Sequence, residues 1–77
     1  MSAAEQILHA LGGWSNISRL DACITRLRVE LKDPAVIDSD AMKSAGAHDV
    51  IVVGSTAQVV VGPYADDLAS QIQELAP

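Results

Sequence analysis

The sequence predicts an α+β fold: a four-stranded antiparallel sheet with three helices packed on one face, in the order α-β-β-α-β-β-α. Three observations predict it. Apolar residues recur at helical spacing near both ends of the chain, alternating or β-branched runs occupy the middle, and short turn signals join those runs into hairpins. Hairpins give antiparallel neighbours, and a sheet with one apolar face must bury it under helices.

Ser2 followed by Glu5 is a capping-box pattern, and Ala4, Ile7, Leu8 and Leu11 continue as a helical stripe until Gly12-Gly13 stops it. Trp14 is expected to cover the end of the core behind this helix. From Arg26 onward, Leu27, Val29 and Leu31 alternate with Arg28, Glu30 and Lys32, the period of a strand with one buried face. The segment from about Asn16 to Ala22 reads as its hairpin partner, which leaves Cys23 and Ile24 at the connection. Asp33-Pro34 breaks the strand. Asp38 or Ser39 then caps a short helix through Met42 and Lys43 that ends at Gly46. Val50 to Val53 and Ala57 to Val61 form a second hairpin around a loop of about three residues, Gly54-Ser55-Thr56. After Gly62-Pro63, the stripe Ala65, Leu68, Ala69, Ile72 and Leu75 defines a last helix with Asp66 and Asp67 in its first turn.

Seventy-seven residues make one domain, 1–77, which buries only about 60 % of its unfolded surface. With one cysteine and two histidines the chain offers neither a disulfide framework nor a closed zinc site, so no metal is expected and the apolar core must hold the fold. A reducing, cytosolic setting is expected. The N-terminus has no signal-peptide pattern, and no segment approaches the roughly 18 apolar residues of a membrane span. The formal net charge is -5, yet all five basic residues, Arg19, Arg26, Arg28, Lys32 and Lys43, fall between positions 19 and 43. An acidic body of this kind argues against nucleic acid, whereas a small basic patch on it suits one anionic group or one acidic partner surface. His9 and His48 sit at no ligand spacing and read as surface or packing residues.

The run Asp21-Ala22-Cys23-Ile24-Thr25-Arg26-Leu27-Arg28 places the lone thiol beside a hydroxyl and two guanidiniums. Cationic neighbours favour the nucleophilic thiolate, and the same groups can hold the oxygens of a phosphoryl group once the sulfur carries it. The residues alone leave a second reading open, a small buried cysteine beside two surface arginines. Strand parity puts Arg26 and Arg28 on one face, so that both emerge beside Cys23. Backbone N–H groups at the Cys23-Ile24 turn are free to point at an anion. Gln58 interrupts an apolar strand and faces away from Ala57, Val59 and Val61. Asp21 would repel phosphate directly, and instead suits a role orienting an arginine.

Asn16-Ile17, then Cys23-Ile24-Thr25-Arg26-Leu27-Arg28-Val29 and Lys32-Asp33-Pro34 closely resemble the B domain of glucose-family permeases of the bacterial sugar phosphotransferase system. Leu11-Gly12-Gly13, Ala45-Gly46-Ala47, Val53-Gly54, Gln58 and Val61-Gly62-Pro63 extend the likeness over nearly the whole chain. The resemblance implies that Cys23 is the catalytic residue. It takes a phosphoryl group from the phosphohistidine of an A domain and delivers it to a sugar held by a membrane-embedded C domain. Thr25, Arg26, Arg28, Asp21, Ile24 and Gln58 would support the phosphate. The implied protein is a cytoplasmic monomer that needs no cofactor and meets the membrane only through the C domain. Asp21-Ala22 before the cysteine is more like the glucose and N-acetylglucosamine branch than the β-glucoside or sucrose branch. A cysteine phosphatase is a poor match, since such sites put five residues between nucleophile and arginine, and here only Ile24 and Thr25 intervene. The alternative from another class is a non-catalytic thiol sensor or regulatory binding module.

Overall fold

A computed structural model describes residues Met1–Pro77. Its elements are α1 (Ala3–Ala10), β1 (Ile17–Cys23), β2 (Arg26–Leu31), α2 (Ser39–Ser44), β3 (Asp49–Val53), β4 (Thr56–Val60) and α3 (Ala65–Glu74), with single 3-10 turns before β1, α2 and α3. The order is the predicted one. The four strands lie β1-β2-β4-β3, every neighbouring pair antiparallel, so each hairpin contributes one central and one edge strand.

The Ser2 hydroxyl accepts from the Glu5 backbone N–H, and the Glu5 carboxylate accepts from that of Ser2, each at 3.1 Å, so the predicted capping box forms in full. Asp38, rather than Ser39, caps α2 by accepting from the Ala41 N–H at 3.0 Å. The second hairpin is tighter than its sequence suggests. Thr56 pairs with Val53, which leaves a two-residue turn of Gly54 and Ser55. Gly54 takes φ +60°, and a positive φ at the first turn position matches the right-handed twist of the flanking strands without a loose loop.

Leu20, Leu27, Val29, Leu31, Ala57 and Val59 face the helices and meet Ala4, Ile7, Leu11, Met42, Ala65 and Ile72, all in one apolar cluster. Trp14 packs against that cluster as expected, with its indole Nε1 buried and without an acceptor. The buried polar residue is Asn16. Its amide donates to the carbonyls of Leu11 (2.8 Å) and Asp33 (3.0 Å), and its Oδ1 accepts from the Asp33 N–H (2.8 Å). One side chain thus joins the end of α1, the start of β1 and the exit of β2. Gly12 lets the chain pass this point: it has φ +100°, and a Cβ there would lie 2.8 Å from Val36 Cγ2 and 3.0 Å from the Asn16 amide. The opposite face of the sheet carries no helix. That face holds the candidate site.

Candidate functional site

Antiparallel register fixes which side chains stand side by side, because directly paired residues project to the same face. On the uncovered face three rungs cross all four strands. Cys23, Arg26, Val60 and Asp49 form the first; Asp21, Arg28, Gln58 and Ile51 the second; Arg19, Glu30, Thr56 and Val53 the third. Cys23 therefore ends β1 directly opposite Arg26. Arg28 stands one rung away, about 7 Å along the strand, beside Asp21 and Gln58.

Cys23 is a free, exposed thiol, which excludes the buried-cysteine reading. Ile24 and Thr25 are the two residues of the turn that follows it. Their backbone N–H groups donate to no backbone carbonyl, and thus remain available beside the sulfur. Ile24 takes φ 56°, the only non-glycine residue with positive φ, and the residue is 87 % exposed. A β-branched residue in this region is strained, so a tight, specific turn is being held against a local cost. The opposing hold is at Thr25, whose carbonyl accepts the N–H groups of both Val61 and Gly62 at 3.0 Å. This ties the turn to the segment that leads into α3.

Parity predicts Arg26 and Arg28 on one face, and the register places them there, both exposed. Gln58 lies on that face too. Its Oε1 accepts from Arg26 Nη1 at 2.7 Å, a diagonal bond, since the residue opposite Arg26 is Val60. Asp21 does engage an arginine, but neither of the two in the motif. It accepts from Arg19 Nε at 2.6 Å, and this bond, with the attraction of Asp21 and Glu30, raises the Arg19 pKa above its ordinary value. Arg19 is not among the predicted site residues, although strand parity puts it on the same face as Asp21, two residues on. Arg28 makes no ion pair or side-chain hydrogen bond. His9 and His48 are exposed and lie outside this face. No three His, Cys, Asp or Glu side chains cluster closely enough to hold a metal.

The largest hollow, about 460 Å³, is on the helical side and is lined by Ile7, His48, Tyr64 and Leu68 among others. It contains none of the predicted site residues. The predicted site residues lie instead on an open surface, which a macromolecular partner can approach more readily than a deep pocket.

Fold and site together define a small α+β domain that presents one thiol among guanidinium groups on an uncovered sheet. The family model described as "phosphotransferase system, EIIB" matches residues 5–38. Over 74 residues the chain is 47% identical to a "PTS system N-acetylglucosamine-specific EIIB component" of Streptomyces coelicolor, covering 96% of both proteins. It is 44% identical over 70 residues to a "PTS system glucose-specific EIICBA component" of Staphylococcus carnosus, which is 91% of this chain and 10% of that protein. One domain of the PTS system IIabc component from Clostridium difficile shares the fold, with a TM-score of 0.79 at 23% identity over 95% of this chain and 77% of that one. The chain belongs to the EIIB family of the sugar phosphotransferase system, and is a phosphotransferase component acting in sugar uptake. No helix is long and apolar enough to cross a membrane.

Proposed function

We propose that Cys23 is the phosphoryl carrier, and that it passes the group from the phosphohistidine of an A domain to a glucose-type sugar, glucose or N-acetylglucosamine, bound by a membrane C domain. The observation that carries this reading is the first rung: an exposed thiol facing Arg26, at the mouth of a turn whose two N–H groups are unused. In the first transfer the Cys23 thiolate attacks phosphorus in line, an S–P bond forms, and the P–N bond breaks with its electron pair left on the histidine nitrogen of the A domain. In the second a sugar hydroxyl attacks, the S–P bond breaks and the thiolate is regenerated, while the hydroxyl proton leaves to a base on the sugar's side.

Positioning and charge stabilisation dominate such transfers, because the transition state spreads negative charge over the peripheral oxygens. On this reading the Ile24 and Thr25 N–H groups, the Thr25 hydroxyl and the guanidiniums of Arg26 and Arg28 are the donors that stabilise that charge. Gln58 fixes the direction of Arg26. The relatives support the partners and the sugar class: one is named for N-acetylglucosamine, and the other for glucose with its C, B and A parts joined. On this reading the domain works in the cytoplasm as a monomer, and reaches the membrane through the C domain.

The test is incubation with a phosphorylated A domain. Acid- or iodine-labile phosphate is expected on Cys23, and none on a folded Cys23→Ser variant, whose hydroxyl is the far poorer nucleophile at neutral pH. A thiol sensor would take up no phosphate. Phosphate retained by Cys23→Ser would also overturn the assignment.

A further inference from the structure

The third rung and its neighbours enclose a small polar recess of about 130 Å³, lined by Arg19, Asp21, Arg28 and Glu30. Two cations and two anions share it, and they are unequally paired. Asp21 lies directly opposite Arg28 across the strands, yet its carboxylate bonds Arg19, two residues away on its own strand, at 2.6 Å. Arg28 is left without a carboxylate partner. Were Arg19 absent, the nearest guanidinium left to Asp21 would be its cross-strand neighbour. Opposite charges so placed attract each other.

We infer that Arg19 is a positioning residue for phosphoryl transfer: by occupying Asp21 it keeps Arg28 free to meet the phosphoryl oxygens. The inference rests on the carrier reading of Cys23, and adds to it a residue outside the Cys-Ile-Thr-Arg-Leu-Arg run. Arg19 does not touch the reacting atoms, being two rungs from Cys23. It acts through Asp21 on the competition between a carboxylate and a phosphoryl group for one guanidinium. Both sides of that competition are charge-assisted bonds of similar kind, so a shift in carboxylate occupancy is felt directly in transfer.

Two readouts test this on Arg19→Ala, Arg19→Lys and the double variant Arg19→Ala with Asp21→Asn. The first is the Arg28 Nε–H signal in a proton–nitrogen correlation spectrum of the unphosphorylated protein. The second is the single-turnover rate of transfer from a phosphorylated A domain to Cys23. Arg19→Ala should shift the Arg28 signal and slow transfer about three- to fivefold, the coupling of one exposed ion pair. Arg19→Lys should fall between it and the parent. Neutralising Asp21 in the double variant should return both readouts toward the parent, a recovery that general loss of structure would not give. An Arg28 signal unmoved by Arg19→Ala, or a double variant as slow as the single one, would overturn the inference. Absence of transfer in the parent protein would instead reject the carrier reading, and the Arg28 signal would still decide whether Asp21 captures that arginine.

Discussion

Arg26 and Gln58 are joined across thirty-two positions of sequence by a 2.7 Å bond from Nη1 to Oε1, which holds one guanidinium nitrogen over β4 and leaves its other N–H donors without a side-chain partner. Gln58→Leu removes that anchor without changing charge. Single-turnover transfer is expected to fall about tenfold, the scale of one hydrogen bond to a charged group, with the urea midpoint nearly unchanged. Gln58→Glu should be slower still, because it adds a competing anion. Equal rates for all three proteins would remove Gln58 from the site.

The arginines themselves should separate function from stability. Replacing Arg26 or Arg28 by Ala is expected to cost roughly 2 to 4 kcal/mol of transition-state stabilisation, about 30- to 1000-fold in rate, and less than about 0.5 kcal/mol of folding stability. Arg28→Lys should lie between, since lysine keeps the charge but loses the planar fork. Near-normal transfer in both alanine variants would refute the clamp.

Ile24 offers a test of turn strain. At φ 56° a β-branched residue is disfavoured, whereas asparagine tolerates this region. Ile24→Asn should therefore raise stability by about 1 kcal/mol in urea unfolding. The same change removes the exposed apolar tip beside Cys23, so the concentration of A domain needed for half-maximal transfer should increase. A fall in stability would show that packing by Ile24 outweighs the strain of its positive φ.

Asn16 should be costly to remove. Asn16→Ala strips the partners from the Asp33 N–H and the Leu11 carbonyl at a buried junction, and about 2 to 4 kcal/mol of stability should be lost. Transfer per folded molecule should be unaffected, because the junction lies outside the three rungs. A coupled loss of both would place it in the functional machinery.

The capping box predicts a pH dependence. The hydrogen bond from the Ser2 backbone, then that of its hydroxyl, lowers the Glu5 pKa below its ordinary value. A folded-state pKa below the unfolded one means a contribution present above the unfolded value, near 4.3, and lost as pH falls through the folded value. The stability advantage of the parent over Glu5→Gln should be present at neutral pH and vanish in more acidic solution. A constant difference across that range would show that the charge on Glu5 contributes nothing.

Periodicity made most of this molecule legible. The alternation from Arg26 to Leu31 placed both site arginines on one face, and the two glycines after Leu11 placed the end of the first helix. What it could not supply was adjacency between distant strands. β2 and β4 are neighbours only through the sheet order, so the contact of Gln58 with Arg26 has no local signature, and the family likeness implies a supporting role for Gln58 without naming its partner. The turn at Ile24 was hidden for another reason. The equivalent position of the second hairpin carries Gly54, whose preference for positive φ is readable, whereas an isoleucine there runs against its own propensity and is held by tertiary contacts. Register, too, shifts between Ile17 and Arg19, where counting by twos fails. Arg19 lies at the edge of that irregularity.

The doubled acceptance at the Thr25 carbonyl gives the site its own gauge. Because the amides of Val61 and Gly62 share one oxygen at the tip of the β1-β2 hairpin, any excursion that lifts the tip from the sheet must release both at once. Their solvent exchange should then be correlated, and slower than exchange at the unbonded amides of Ile24 and Thr25. Loading the sulfur with a dianion would reverse the contrast locally, slowing the two tip amides while leaving the gauge pair as it was. Four backbone signals thus distinguish a tip that moves as a body from one that merely closes around its cargo.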